Sequence, residues 1–428
     1  MSFVSKRKIM PKKESISPVP QIEPTVLVRR FGVPRKIIFV LQTLNRNGFE
    51  AFIVGGAVRD LLLGKKPNDY DICTNAHPSQ IRQLFQSMGI PVLSVGNAFG
   101  VVPIVLGDTV VEIATYRSER YDKPGVPQVS FEKSLRNDVM RRDFTINALA
   151  MDINGNIYDF VGGQRDLQRR IIRFVGNPDQ RIREDPARII RAIRFAAYGF
   201  NIDPNTLAAI KRNKALLGTV PRERIFVELV KAAKKNFSTF VYYLIGTDCA
   251  KILGFRNIYN YSQPLIIALK RADAIHAPPE IKLALLFYYE YMHTPNKTRA
   301  INKLMDILRF PIAYRRPILS IIQYADIQQP NPITTAATLI SKFYYRYHNT
   351  DIAKQMAYLT ALFNYCRGIN NNYWQAVINI FQKIPTIPPP RISGKDIMNI
   401  PPPKRHTYLL NTYTQQIQNY IQSIIRST

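Results

Sequence analysis

Residues 51–71 read AFIVGGAVRDLLLGKKPNDYD, and this stretch decides the fold of the amino-terminal part of the chain. AFIVGG (51–56) is short, apolar and ends in two glycines, which predicts a buried strand that turns into a helix. AVRDLLLG (57–64) predicts a helix that stops at Gly64, and DYDIC (69–73) predicts a second strand. Strand, glycine turn, helix and strand in this order indicate a small α/β unit.

The flanking sequence extends this unit and then changes character. HPSQIRQLFQSMG (77–89) predicts a helix, and VVPIVLGDTVVEIATYR (101–117) predicts two strands joined by a turn at Gly107 and Asp108. After Gly163 helical periodicity takes over and continues to the end of the chain. We therefore predict an α+β protein: a small α/β head with a mixed sheet, followed by an all-helical neck, body and tail.

The charge balance points to a polyanionic partner. The 428 residues include 59 Lys and Arg against 30 Asp and Glu, a formal net charge of +29. Tyrosine is frequent, with 23 residues, and often adjoins basic residues, as in KFYYRYH (342–348). In a helical protein such rings more often pack than stack on bases, and we interpret them as packing residues.

Other classes of protein are disfavoured by composition. Three scattered cysteines argue against a disulfide framework or a cysteine zinc site. The sequence has no apolar run of about 18 residues, so no membrane span is expected. Residues 1–29 are basic and rich in proline and serine without a signal-peptide core, which predicts a flexible arm and a cytoplasmic location, with organellar import left open.

The paired carboxylates are the strongest chemical feature. Residues two apart in a strand face the same side, so Asp69 and Asp71 should lie side by side. Two like charges this close need cations to stay ionised together. Two Mg²⁺ ions bound there would activate an attacking hydroxyl and stabilise a leaving pyrophosphate. We predict Asp69 and Asp71 as metal ligands and catalytic residues.

Phosphate-binding candidates precede this pair. Gly55 and Gly56 stand where a strand becomes a helix, so backbone can approach phosphates closely. Arg59 lies one helical turn further on and could reach the same phosphates. A third carboxylate, Glu112, lies on a predicted strand among apolar residues, and we interpret it as catalytic rather than as a solvated edge residue.

Two arginine-rich segments complete the candidate site. MRRDFTINALAMD (140–152) places Arg142 and Asp143 before a predicted apolar helix, which Asp143 could cap. In REDPARIIRAIRF (183–195), charged residues recur every three positions on a helix beginning near Pro186, with an apolar face opposite. The alternative is a solvated face, but the charged set is better suited to phosphate and nucleobase contacts. These four residues are Asp185, Arg188, Arg191 and Arg194.

Several motifs together resemble one enzyme family, the class II CCA tRNA nucleotidyltransferases and bacterial poly(A) polymerases. The resemblance is dense over about residues 35–235 and includes PRERIFVELVK (221–231). The other matching motifs are GGAVRDLLLG (55–64), NDYDICTNAHP (68–78), RRDFTINALAMD (141–152), DFVGGQRDL (159–167) and EDPARIIRAIRFA (184–196).

The resemblance implies template-independent, two-metal addition of nucleotides from CTP and ATP to an RNA 3′ end. Asp69 and Asp71 would hold Mg²⁺ with Glu112 as a third carboxylate. The phosphates and sugar would lie against Gly56, Arg59 and Arg142. Asp185 and Arg188 would pair with the incoming base, supported by Arg191 and Arg194. The implied domains are an arm (1–29), a catalytic head (30–165), a neck (166–240) and an RNA-binding body and tail (241–428).

The exact RNA substrate stays open at this point, although the sequence is closer to the CCA-adding enzymes. Poly(A) polymerases carry two basic residues between Gly and Phe, where this chain has Gly96-Asn97-Ala98-Phe99. CCA-like segments are GNAFGVVPIVL (96–106), FEKSLRNDVMRRDFT (131–145) and ISGKDIM (392–398). Polymerase-like segments are LGKKPNDYDICTNA (63–76), GNPDQRIREDP (176–186) and the basic arm.

Three departures from the family keep further alternatives in view. The loop SERYDKPGVPQVSF (118–131) looks short, so addition of only CC or only A is possible. NIPPPKRHTY (399–408) lacks the usual glycines, and IKLALLFYYEYMH (281–293) has no His-Asp doublet, so no appended phosphohydrolase is predicted. A non-catalytic RNA-binding protein and a nucleotide sensor are the alternatives from other classes. The oligomeric state is not predicted.

Overall fold

The predicted strand 51–54 forms the middle of a mixed six-stranded sheet. The computed structural model describes residues 30–93, 100–392, 397–398 and 400–427. A first compact unit ends at Asp185 and a second begins at Pro186. Fold class is confirmed: strands and short helices form the first unit, and helices dominate the second.

Six strands form the sheet of the first unit. They are β1 Ala51–Val54, β2 Asp71–Thr74, β3 Val101–Leu106, β4 Thr109–Thr115, β7 Leu149–Met151 and β8 Ile157–Asp159. Their order in the sheet is β3-β4-β2-β1-β7-β8. β1 pairs antiparallel with both β2 and β7, whereas β2 and β4 run parallel. All four residues of β1 are buried, as expected of a short apolar central strand.

The helices of the first unit are short and cover this sheet. The helix predicted after the glycine pair is confirmed and ends before Gly64, whose φ of +67° favours glycine. The helices are Arg35–Arg46, Gly56–Leu62, Pro78–Ser87, Leu135–Met140, the 3₁₀ turn Thr145–Asn147, Gly163–Gln168 and Pro178–Glu184. Phe52, Val54, Cys73, Tyr116 and Val139 belong to one buried cluster that joins sheet and helices.

Three sequence predictions for this unit need correction. The apolar helix expected after Asp143 is instead the 3₁₀ turn followed by β7, because a short apolar run suits a buried strand as well as a helix. The strand predicted from Asp69 begins at Asp71. The supposed loop 118–131 is a hairpin of β5 Arg117–Lys123 and β6 Val126–Phe131, turned at Gly125 with φ +77°.

The last strand of the first unit is β9, Ile171–Ile172. The described part of the second unit is helical apart from the two-residue strand β10, Asn201–Ile202. None of the described helices combines the length and apolar character needed to cross a bilayer. The helices are Ala187–Ala197, Pro204–Asn213, Lys214–Thr219 (3₁₀), Arg222–Ala233, Phe237–Gly246, Cys249–Ile252, Asn257–Tyr259 (3₁₀), Ser262–Ala274, Pro279–Glu290, Lys297–Ile307, Ile312–Gln323, Pro332–Tyr347, Thr350–Arg367, Asn371–Lys383 and Pro402–Ser427.

Helix Pro279–Glu290 is the buried centre of the second unit, with every residue from 281 to 290 buried. Its two charged buried residues bind neighbouring helix ends. Lys282 pairs with Asp273 at 2.8 Å, and Asp273 accepts the N–H groups at the start of helix Phe237–Gly246. Glu290 accepts three backbone N–H groups at 256–258. These contacts satisfy helix termini that would otherwise be unpaired.

Candidate active site

The glycine pair forms a tight turn between β1 and the following helix. Gly55 has φ +71° and ψ −129°, a conformation that L side chains rarely adopt. A Cβ atom at Gly55 would lie 2.9 Å from Nη1 of Arg142. The N–H of Gly55 donates to the carbonyl of Leu149 in β7 at 3.1 Å, so this amide is engaged within the sheet. Glycine is required here because the Arg142 guanidinium lies against the backbone.

Arg59 is held in place from two sides. Its Nη1 donates to the side chain of Asn147 at 2.7 Å, and its Nε donates to Asp60 at 2.9 Å. Asn147 in turn donates through Nδ2 to Asp143 at 3.0 Å. Asp143 therefore acts through the 3₁₀ turn that carries Asn147, rather than as the cap of an α-helix. The guanidinium of Arg59 is fixed by hydrogen bonds of defined direction.

A buried carboxylate anchors Arg141 and Arg142. Asp138 is fully buried, and its two oxygens accept from Arg141 at 2.7 Å and from Arg142 at 3.0 Å. Burial alone would raise the pKa of Asp138, but the two guanidinium groups outweigh burial and hold that pKa below its usual value. Arg141 also binds Glu119 of the hairpin at 2.7 Å. The network fixes Arg142 beside the glycine turn.

The two aspartates lie at the start of β2. Asp71 is the first residue of that strand, and Asp69 precedes it by two residues. Asp71 is exposed, yet the protein atoms packed around its carboxyl raise its pKa; Arg142 opposes this rise and the nearby charge of Asp69 adds to it. Asp69 and Arg142 therefore both lie within electrostatic reach of Asp71, at one end of the sheet.

Glu112 occupies a neighbouring strand. It is paired in register with Asp71 across the parallel β2–β4 ladder and is exposed. Within the residues that the structure describes, no group of three or more His, Cys, Asp or Glu side chains is arranged to hold a metal ion. The roles of Asp69 and Asp71 as metal ligands and of Glu112 as a catalytic residue therefore stay predictions.

The segment DFVGGQRDL (159–167) packs against the 3₁₀ turn that carries Asn147. Asp159 accepts the N–H groups of Val161, Gly163 and Gln164 at 2.9–3.1 Å and so fixes the turn into helix Gly163–Gln168. A Cβ atom at Gly163 would lie 2.2 Å from the carbonyl oxygen of Thr145. The glycine therefore lets this helix pack directly on the 3₁₀ turn that presents Asn147.

The arginines predicted in the second unit lie on helix Ala187–Ala197. Arg188 and Arg194 are buried, at 5% and 7% exposure, whereas Arg191 is half-buried. The predicted apolar face is buried, and the alternative of a solvated charged face is wrong for Arg188 and Arg194, since almost the whole helix is enclosed. Arg194 forms an ion pair with Glu228 of helix Arg222–Ala233 and lies 4.4 Å from the ring centroid of Phe195.

The remaining predicted residue, Asp185, closes the first unit. It is the residue after helix Pro178–Glu184, and its N–H donates to the carbonyl of Arg181. Part of the predicted substrate-related sequence lies outside the described residues: the arm 1–29, GNAF (96–99) and positions 393–396 of ISGKDIM. The interpretation of those segments stays a prediction from the sequence.

Sequence reasoning missed three residues that hold the predicted arginines within their own units. Asp138 and Asn147 fix the arginines of the first unit, and Glu228 fixes Arg194 in the second. A signal existed for Asp138, which lies near the end of helix Leu135–Met140, three and four positions before Arg141 and Arg142, the spacing of helical ion pairs. For Asn147 and Glu228 the partners lie 88 and 34 residues away, so no local pattern reveals them.

Two segments of the chain match models of known protein families. Residues 51–173 match the family described as "Poly A polymerase head domain". Residues 199–238 match "Probable RNA and SrmB- binding site of polymerase A". The first match contains the glycine turn, the paired aspartates and the Asp138 network.

Relatives and a solved structure agree with these matches. Poly(A) polymerase I of Escherichia coli O157:H7 is 37% identical over 261 residues, covering 56% of this chain and 55% of that protein. The CCA-adding enzyme of Lactobacillus helveticus is 44% identical over 233 residues, covering 52% and 57%. The crystal structure of Bacillus stearothermophilus CCA-adding enzyme in complex with CTP matches with TM-score 0.68 and 26% identity, covering 92% of this chain and 98% of that one.

The first unit therefore contains a segment similar to the poly(A) polymerase head domain, and helices dominate the second unit. The chain is thus similar both to CCA-adding enzymes and to a bacterial poly(A) polymerase. It matches these two curated relatives over a little more than half of their length.

Proposed function

We propose that this protein adds nucleotides from CTP and ATP to the 3′ end of tRNA without a nucleic-acid template. The observation that carries the proposal is the juxtaposition of Asp71, Asp69 and Arg142 at one end of the sheet, next to the glycine turn. A carboxylate pair beside a fixed guanidinium suits phosphoryl transfer, in which positioning and charge stabilisation supply most of the catalysis.

The carboxylate pair fits divalent metal ions. Asp69 and Asp71 offer hard oxygen ligands, the type that Mg²⁺ prefers, and the proximity of their charges favours a cation between them. Arg142 does not act as this cation, because its own charge is balanced by Asp138. When bound, Mg²⁺ ions would neutralise developing charge on the phosphates and favour the hydroxyl's attack.

The protein's own groups orient the nucleotide. The guanidinium groups of Arg59 and Arg142 are each restrained by neighbouring side chains and would meet the triphosphate with little loss of entropy on binding. The RNA 3′-hydroxyl would then attack the α-phosphate in line, the bond to the β-phosphate oxygen would break, and pyrophosphate would leave. Asp185 and Arg188 would choose the base, as the family resemblance implies.

CCA addition is the proposed reaction rather than poly(A) addition. The supporting observation is the likeness to the CCA-adding enzyme solved with CTP, which extends over 98% of that chain. Poly(A) addition is the second candidate, because a poly(A) polymerase is 37% identical over 261 residues. Addition of CC alone or A alone remains a narrower form of the first candidate.

The reaction is tested by offering the protein four RNAs with Mg²⁺, CTP and ATP. Three are tRNAs ending before CCA, after C and after CC, and the fourth is an unstructured RNA. We expect completion of CCA on each tRNA and no long A tail on the fourth, read by sequencing the products. Long A tails on the unstructured RNA would establish the second candidate instead.

The site assignment is tested with Asp69→Ala and Asp71→Ala. Each should abolish incorporation while RNA affinity stays close to that of the wild type, because the carboxylates act on the reacting phosphate. Asp122→Ala removes an exposed carboxylate of the hairpin and serves as the matched control. Full activity in both site variants would contradict the assignment.

A further inference from the structure

An open groove of about 660 Å³ lies on the surface of the second unit. Three helices contribute to its lining: Pro204–Asn213, Phe237–Gly246 and Ser262–Ala274. Two exposed lysines, Lys211 and Lys270, stand on the first and the last of these helices. The groove belongs wholly to the second unit, whereas the paired carboxylates belong to the first.

The groove displays an aromatic ring that the fold does not use for packing. Tyr242 is 63% exposed and lines the groove together with Ile267, which is 44% exposed. Tyr243 holds the Tyr242 ring from one side in an edge-to-face contact at 5.6 Å. Tyr413, in contrast, is fully buried, as expected for tyrosines in a helical protein. An exposed ring beside an apolar side chain offers a flat surface for a planar partner.

The charge around this ring is positive. None of the twelve lining residues, all in the described part of the chain, is acidic. Asp248 follows the lining residue Thr247, but its carboxylate binds Lys214 at 2.8 Å and Lys251 at 3.0 Å. Lys211 and Lys270 therefore face the groove without a lining carboxylate to balance them, which favours an anionic occupant.

We propose that this groove holds an unpaired nucleotide of the RNA substrate. Its base stacks on Tyr242, and its flanking phosphates bind Lys211 and Lys270. An unpaired base is required because bases within a duplex do not expose a face to a side chain. The matched segment 199–238, whose description names RNA binding, contains Lys211. The inference rests on the proposed function for RNA as the partner, and it adds where one nucleotide is held.

The stacking contact is tested with Tyr242→Ala and Tyr242→Phe in the full chain. Binding of a tRNA ending before CCA is measured by fluorescence anisotropy. We expect Tyr242→Ala to weaken binding by about fivefold or more, the effect of removing one base-stacking partner. Tyr242→Phe keeps the ring and should bind like the wild type. Because Tyr242 is exposed, the melting temperature of both variants should be unchanged.

The phosphate contacts are tested through salt dependence. The double variant Lys211→Gln/Lys270→Gln should lower the slope of log affinity against log salt by about 1.4, that is about 0.7 for each phosphate of a single strand that is no longer neutralised. Lys303→Gln removes an exposed lysine on another helix and should change the slope by no more than half as much.

A steric variant tests occupancy of the groove directly. A Cβ atom at Gly246 meets no atom within 4 Å, so Gly246→Leu extends into open space at the groove without a clash. This variant should weaken RNA binding while folding normally. Wild-type affinity in both Tyr242→Ala and Gly246→Leu would overturn the inference.

The same experiments separate this inference from the proposed function. If the wild type binds RNA through Tyr242 but extends none of the four RNAs, the groove assignment stands and the proposed reaction fails. If the wild type extends tRNA and the groove variants retain full affinity, the reaction stands and the groove assignment fails.

Discussion

Asp138 offers the sharpest test of how the candidate active site is held together. Replacing it with alanine leaves the guanidinium groups of Arg141 and Arg142 without the carboxylate that joins them. Loss of one partner from a buried ion pair costs about 3–5 kcal/mol. Both arginines keep 16–17% side-chain exposure and Arg141 keeps Glu119, so the lower end applies, about 3 kcal/mol.

The effect is measurable in the unfolding of the first unit. For a unit of this size about 3 kcal/mol corresponds to a melting temperature lower by about 6–12 °C. Asp138→Asn keeps the shape but removes the charge and should cost about half as much. Asp122→Asn, at an exposed position, should stay within about 0.5 kcal/mol of the wild type. Urea unfolding at pH 7 gives the free energies.

The pH dependence has a defined sign. The pKa of Asp138 is lower in the folded protein than in the unfolded chain. Its charge therefore stabilises the fold above the unfolded pKa of about 4, and this contribution is lost as the pH falls through the folded pKa. The stability difference between wild type and Asp138→Asn should be constant near pH 7 and shrink below about pH 4. Equal stabilities at pH 7, or a difference that widens in acid, would refute the reasoning.

Two further substitutions test how the 3₁₀ turn is positioned. Gly163→Ala places a Cβ atom 2.2 Å from the carbonyl oxygen of Thr145. We therefore expect it to destabilise the first unit by about 2 kcal/mol or more in urea unfolding. Gly246→Ala is the matched control and should not destabilise the protein, because its Cβ atom meets no atom within 4 Å. Asn147→Ala removes the hydrogen-bond acceptor for Arg59. It should raise KM for the nucleotide about tenfold, with a smaller change in KM for RNA. Equal changes in the two KM values would indicate a general loss of structure.

Much of the head was predictable because its signals are local. The strand 51–54, the helix after the glycine pair and the hairpin at Gly107 follow from apolar runs interrupted by turn residues. Asp69 and Asp71 could be paired from spacing alone, and they do lie within electrostatic reach, although only Asp71 belongs to the strand. Two-residue spacing keeps carboxylates close even where the chain is not regular.

The support of the site was not predictable, because it depends on contacts between distant segments. FTINALAMD (144–152) suits a helix by composition, but its residues 149–151 pair with the edge of β1 as strand β7. From its sequence alone, helix Ala187–Ala197 resembles a charged surface helix. Arg194 can be buried because it forms an ion pair with Glu228 of another helix. A local sequence pattern shows neither the strand edge that a segment will pair with nor an oppositely charged residue that lies far away in the sequence.

The order of strands in the sheet has a consequence for how the first unit folds during synthesis. β1 is the first strand to leave the ribosome, yet it pairs with β2 some 20 residues later and with β7 about 100 residues later. Until β7 docks, the carbonyl that receives the Gly55 amide and the asparagine that orients Arg59 are both missing. A nascent chain that stops before Asn147 therefore has both carboxylates but lacks the asparagine that orients Arg59, so the ordering of Arg59 is a late step in the folding of the first unit.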